Sequence, residues 1–307
     1  MFENVFNKES ILIAKKDLES IMSCAFLKKK YGFDTIYLEK KEKLSPLFSK
    51  SYEEIIFIKN VLLEEVGFGK KSVLIGEIGE GEFKGTIKII SPSLFVGKKT
   101  TIPYFLLNHL ELPKVAKFLA GASILGNYLA EEYIDFFKEL FLEWPFLSNY
   151  PEVYYSELFF FWIGLKEREK DAKEVEDLLL KILEENNFSP YFNSVIYKEL
   201  LNRKRRILEK ISSGEYEIKK SNAFVLINAN EGGFAAKILQ ILEKDKKYYV
   251  EYDNGTLHFF SLEKKLNKAL IYFFNGEVFS DYEGIGKTEK DFQETYEDIK
   301  MFFSHKV

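Results

Sequence analysis

Asp17 and Glu19 stand two apart in the stretch KKDLESIMSCAFLKKKYG, which runs from Lys15 to Gly32 directly after the apolar run Ile11-Leu12-Ile13-Ala14. The order is buried strand, polar turn, amphipathic helix and glycine. Both acids therefore fall where a strand hands over to a helix. In an α/β fold ligands bind there, outside the carboxyl ends of the strands. Paired carboxylates at such a place suit a divalent cation, and metal ions held by carboxylates activate water in hydrolases. The same acids suit the first turn of a helix, whose dipole favours negative charge. A working metal site, the vestige of one, and helix-capping charge are all open on these residues alone.

Other groups with chemical potential lie further along. NEGGFAAK (Asn230–Lys237) places Gly232 and Gly233 at the start of a helix, where backbone amides can hold an anion, although a tight strand-to-helix turn has the same form. NRKRRILEK (Asn202–Lys210) gathers Arg203, Lys204, Arg205 and Arg206, which suit phosphate or an acidic partner and equally suit a solvated helix face. GEGEFKG (Gly79–Gly85) lacks the lysine and hydroxyl of a P-loop and reads as a turn. Tyr154, Tyr155, Phe159, Phe160, Phe161 and Trp162 could stack on bases, but their density fits a core or a partner interface. The only cysteine is Cys24, on the apolar side of the first helix, so a Cys-based zinc site and an internal disulfide are excluded.

The elements that must position these groups follow from periodicity. Short Ile- and Val-rich runs at Ile11–Ala14, Thr35–Leu38, Ile55–Ile58, Val73–Ile75 and Thr86–Ile90 read as buried strands of a mostly parallel sheet, with a helix at Leu18–Lys30. From Thr100 helical segments take over: Thr101–Leu110, Pro113–Tyr133, Glu152–Lys166, Asp171–Glu185 and Tyr191–Ser212. A second α/β pattern starts near Ser213, with a strand at Ala223–Ala229 and a helix from Gly232-Gly233 to Leu242. Asp253-Asn254-Gly255 between Tyr248–Tyr252 and Thr256–Phe260 is a strong hairpin signal, and Thr288–Phe303 reads as a closing helix. The expected organisation is an α/β domain over residues 1–145, a helical connector over 146–212 and a smaller C-terminal α/β domain over 213–307.

At 307 residues the chain can bury a core for two domains, and its net charge of −4 gives no global pull toward nucleic acid. No run approaches the ~18 apolar residues of a membrane span, and MFENVFNKES lacks the order of a signal peptide, so a cytoplasmic protein without membrane contact is expected.

This layout resembles the DHH phosphoesterase superfamily, which includes the RecJ-type nucleases and the non-catalytic subunit of the eukaryotic replicative helicase. Active members open with a strand ending in His, then Asp-x-Asp-Gly and a Ser on the first helix turn. The matching positions here are Lys15, Asp17, Glu19, Ser20 and Ser23. The family's second motif, a strand ending in Asp, falls on Lys59 or Asn60, and its Asp-His-His falls on Gly76, Glu77 and Ile78. Its Asn-Pro resembles Ser91-Pro92, its Gly-Asp resembles Gly126-Asn127, and its Gly-Gly-His resembles Asn275-Gly276-Glu277. His109, His258 and His305, the three histidines of the chain, fall on none of these positions.

The resemblance implies a two-metal hydrolase fold with most of its Mn²⁺ or Mg²⁺ ligands missing, and Lys15 and Lys59 placing ammonium groups where cations would bind. They would pair instead with Asp17 and Glu19. The expected vestigial site is Lys15, Asp17, Glu19, Lys59, Gly76, Glu77 and Asn127, with no catalytic residue, no metal and no cofactor. The reading that follows is an inactive scaffold protein in DNA replication, contacting the GINS complex and the MCM helicase and in addition single-stranded DNA. The alternative is a divergent phosphodiesterase acting on short oligonucleotides or dinucleotides, for which Mn²⁺ or Mg²⁺ would be required.

Overall fold

The computed structural model describes Phe6 and residues 9–39, 52–59, 71–76, 87–127, 129–144, 157–243, 246–261, 266–278 and 283–304. The chain forms two compact units, Met1–Lys198 and Glu199–Val307.

The first unit opens with β1 (Ser10–Lys15), α1 (Leu18–Tyr31), β2 (Asp34–Leu38), β3 (Glu54–Ile58), β4 (Lys71–Ile75) and β5 (Ile87–Ile90). The five strands are all parallel, in the order β2-β1-β3-β4-β5. Parallel strands covered on both faces need continuous apolar side chains, and Ile11–Ala14, Ile55–Ile58 and Val73–Ile75 are all buried. Inside this layer the Ser10 hydroxyl donates to Glu54 at 2.6 Å, which partners the carboxylate that β3 brings into the sheet. Chain order reverses at β1, between β2 and β3, so the crevice at the carboxyl ends of β1 and β3 is the topological switch point. Asp17 caps α1 and Gly32, at φ 77°, ends it in the left-handed region.

The helices that follow are α2 (Pro92–Val96), α3 (Ile102–Leu107), α4 (Ala116–Gly126), α5 (Ile134–Glu143), α6 (Glu157–Lys166), α7 (Ala172–Glu185), α8 (Ser189–Asn193) and α9 (Val195–Ser212). The single helix expected over Pro113–Tyr133 is broken. α4 stops at Gly126, Asn127 caps it by donating to the Ser123 carbonyl at 2.9 Å, and a 3-10 turn at Ala130–Tyr133 leads into α5. The helix expected over Tyr191–Ser212 is also two. Ser194 is extended and its hydroxyl accepts from the Tyr197 amide at 3.1 Å, an N-cap that restarts the chain as α9.

The second unit adds β6 (Ile218–Lys220), β7 (Phe224–Asn228), α10 (Phe234–Leu242), β8 (Tyr248–Asp253), β9 (Thr256–Phe260), α11 (Lys268–Phe273), β10 (Glu277–Val278), β11 (Glu283–Lys287) and α12 (Phe292–Ser304). Its sheet is mixed, in the order β10-β11-β9-β8-β7-β6, with β7 and β8 the parallel pair. The expected hairpin joins β8 to β9, and its turn carries positive φ at Asn254 (47°) and Gly255 (84°), as a type I′ turn requires. Phe224, Leu226, Val250, Leu257 and Phe259 form the core under α11 and α12. Among the described residues no helix is long and apolar enough to cross a membrane.

Candidate functional site

The turn after β1 and the end of β3 meet at the switch point. Asp17 is extended, and its carboxylate accepts the Ser20 amide at 3.1 Å and the Ser20 hydroxyl at 2.7 Å. Glu19, the second residue of α1, is nearly buried. One of its oxygens accepts the Ile102 amide at the start of α3 at 2.9 Å, and the other accepts Lys59 Nζ at 2.8 Å. Lys59 Nζ also lies 3.2 Å from Asp17 Oδ1. Lys59 reaches this position from the residue after β3, with φ 61° and its amide donating to the Ile75 carbonyl at 2.9 Å. Burial works against the Lys59 ammonium, but Glu19 and then Asp17 outweigh it and hold its pKa above the ordinary lysine value.

The expected residues divide around this cluster. Asp17, Glu19 and Lys59 come together. Glu19, Lys59, Gly76, Ser93, Lys99 and Asn127 line one cavity of about 170 Å³. Lys15 closes β1, half-buried, and is not part of the Lys59 pair. Gly126 is a packing glycine, since a Cβ there would lie 1.8 Å from the Trp162 ring. Ser91-Pro92 starts α2, with Pro92 buried in its first turn. Glu77, Asn60 and Ile78 lie outside the described residues, as do Tyr154, Tyr155 and Gly79–Gly85. Phe160, Phe161 and Trp162 are buried, and Phe161 packs edge-on against Phe118 and Tyr191, so these three rings are core.

In the second unit the Gly232-Gly233 turn carries positive φ at both residues, 60° and 85°, and a Cβ on Gly233 would meet the Phe260 ring at 2.9 Å. The amides that this turn presents at the start of α10 are already used. Glu251, fully buried on β8, accepts the amides of Glu231 at 2.7 Å, Ala235 at 2.9 Å and Ala236 at 3.3 Å. Burial pushes its carboxyl up to about 7, against the pull of those amides. The basic cluster is engaged as well. The Glu231 carboxylate accepts from Arg203 Nε at 3.2 Å, from Arg206 at 2.9 and 3.0 Å, and from the Tyr216 hydroxyl at 3.1 Å. Lys204 is half-buried and Arg205 exposed on the same helix. Asn275-Gly276-Glu277 forms the turn into β10, where a Cβ on Gly276 would lie 2.2 Å from the Ile285 carbonyl oxygen.

Sequence reasoning did not reach Glu231, Glu251 or Tyr216. The available signal was the acid Glu251 inside the aromatic and apolar run Tyr248–Tyr252, ahead of the terminal Asp253, where only a partnered carboxylate is tolerated.

No family model matches the chain, and no curated protein matches it. Among solved structures it is similar to the pGpG-specific phosphodiesterase PggH from Vibrio cholerae, with a TM-score of 0.53, 9% identity, and 97% of this chain and 98% of that chain covered. The chain shares the fold of that phosphodiesterase from end to end. RecJ from Thermus thermophilus, solved with Mg²⁺, aligns at a TM-score of 0.49 and 14% identity over 97% of this chain and 50% of that chain. An exopolyphosphatase-related protein from Bacteroides fragilis aligns at 0.45 and 13% over 96% and 91%.

The resemblance to the DHH phosphoesterases implies a two-metal centre, and the described residues do not fit one. Two divalent ions about 3.5–4 Å apart need several carboxylates and imidazoles around them. Here the two carboxylates share an ammonium group, position 76 has no side chain, and position 127 is an amide. Among the described residues no three His, Cys, Asp or Glu side chains gather as ligands. His109 bonds through Nδ1 to the Phe105 carbonyl at 2.8 Å. His258, on β9, has its pKa lowered by burial. His305 lies outside the described residues.

Proposed function

We propose that this chain is a non-catalytic DHH-fold protein that acts by binding. The observation that carries the reading is the Lys59 ammonium held at 2.8 Å by Glu19 and 3.2 Å by Asp17 at the switch point. A cation supplied by the chain needs no metal to balance those acids, and an ammonium group activates no water. A fold kept while its chemistry is absent is kept for its surfaces. The family precedent is the non-catalytic helicase subunit, so the partners proposed are GINS and the MCM helicase, with single-stranded DNA as a further contact. The test is incubation of the full chain with end-labelled single-stranded DNA and with pGpG, in Mn²⁺ and in Mg²⁺. The expected result is no mononucleotide release, together with co-purification of GINS or MCM with the tagged chain from its own cells.

The second reading is a phosphodiesterase for short oligonucleotides or dinucleotides. The end-to-end likeness in fold to PggH and the cavity bearing Lys59 and Lys99 favour it. Metal-dependent release of mononucleotide that persists in a Lys59→Met variant would establish this reading and end the first.

A further inference from the structure

In the second unit one carboxylate sits inside a donor set larger than it needs. Glu231 is gripped by two guanidinium groups and a phenol, at 2.9 to 3.2 Å. Arg203 is fixed in place twice over. Its guanidinium lies over the Phe234 ring, 4.6 Å from the centroid, and it also donates to the Glu231 carbonyl. Together the guanidinium groups of Arg203 and Arg206 carry twice the charge of the carboxylate that both of them hold. Their planar donor pairs match a phosphate group, which offers more acceptor oxygens and up to two negative charges.

Two further observations direct an incoming anion to this pair. The amides of the turn and the first turn of α10 are engaged, because Glu251 accepts those of Glu231, Ala235 and Ala236 from within the core. The arginine pair is open on one side, since the Arg206 side chain is 56% exposed while that of Glu231 is 10% exposed. Glu231 can leave without unfolding the turn. Its backbone is held by Glu251 and Arg203, and its side chain alone, with three rotatable bonds, makes the contacts to Arg206 and Tyr216.

We infer that Arg203, Arg206 and Tyr216 form a phosphate-group site masked by Glu231, which exchanges with the phosphate of an incoming ligand. The inference concerns the second unit only and stands or falls independently of the reading of Asp17, Glu19 and Lys59.

The experiment uses the full chain at fixed ionic strength and three probes: inorganic phosphate, a short oligothymidylate with a 5′-phosphate, and the same oligonucleotide with a 5′-hydroxyl. Glu231→Gln keeps the shape and removes the competing charge. It is expected to tighten binding by about tenfold, equivalent to about 1.4 kcal/mol, and adding Arg206→Ala is expected to cancel the gain. Preference for the 5′-phosphorylated oligonucleotide identifies a terminal phosphate as the ligand, and equal binding of both identifies the phosphodiester backbone. Binding of inorganic phosphate alone identifies the free ion. A folded Glu231→Gln variant that binds all three no more tightly than the wild type overturns the inference. Should that variant fail to fold, the wild type decides. Its melting temperature must rise more in phosphate than in chloride, and Arg206→Ala must remove the difference. No such rise also overturns the inference.

Discussion

Lys59 Nζ lies 2.8 Å from Glu19 Oε2, and the second oxygen of the same carboxylate takes the Ile102 amide at 2.9 Å. One nearly buried acid thus ties together the end of β3, the first turn of α1 and the start of α3.

Removing the ammonium should therefore loosen the crevice and change its ion preference. Lys59 is 40% exposed, which discounts its electrostatic worth, so Lys59→Met is expected to cost about 1–2 kcal/mol. The two acids left behind should attract a cation, and Mn²⁺ should raise the melting temperature of the variant but not of the wild type. A variant indifferent to Mn²⁺ would show that Asp17 and Glu19 are satisfied by backbone donors alone. Because the Lys59 pKa is raised in the folded chain, its contribution is complete at all pH below the ordinary lysine value and is lost only in strong alkali.

Glu251 gives a pH dependence of the same direction in a much lower window. Its folded-state pKa of about 7 stands above the ordinary 4.5, so the folded chain binds this proton more tightly than the unfolded chain does. Its contribution to stability is greatest in acid and declines by about 2–3 kcal/mol as pH rises from the ordinary value through 7. Melting temperatures of the wild type and Glu251→Gln across that range should converge toward acid and diverge toward neutral pH, with the flatter profile in the variant. Identical profiles would refute the assignment.

Gly126→Ala should destabilise the first unit. The added methyl would meet the buried Trp162 ring at 1.8 Å, and overpacking of this kind costs about 1–3 kcal/mol. Trp162→Leu in the same chain should recover part of the loss, because the two sites are in contact and their effects do not add. Chemical denaturation of the two single variants and the double variant measures the coupling.

Cys24 should be silent toward thiol reagents in the native chain. It is fully buried on α1, and burial together with the nearby Glu176 raises its pKa, so the reactive thiolate is suppressed. One equivalent of thiol is expected to react after unfolding and none before. Prompt reaction under native conditions would mean that α1 opens locally.

The central strands β1, β3 and β4 of the first unit were legible because they are buried on both faces and leave unbroken apolar runs, whereas the edge strands β2 and β5 are partly exposed. The β8–β9 hairpin was legible because Asn254-Gly255 admits few other conformations. β6, β10 and β11 were not, being short, polar or glycine-bearing, and defined by their neighbours rather than by their own pattern. The break after Gly126 was hidden because Trp162, the ring that crowds it, is distant in sequence. The pairing of Lys59 with Asp17 and Glu19 could be foreseen from aligned positions. The capture of the α10 amides by Glu251 could not, since it depends on which strand lies beside β7 and on the register that brings position 251 level with Ile227.

Gly76 follows β4 with φ 153°, and a Cβ there would stand 2.9 Å from the Lys59 Cα. The neighbour is main chain, so no side-chain adjustment relieves the contact. A carboxylate cannot be installed at position 76 by one substitution, and Lys59, with positive φ of its own, would have to move with it. An engineer seeking hydrolysis in this crevice would have to rebuild two strand ends at once, and random point mutation in a laboratory lineage would meet the same barrier.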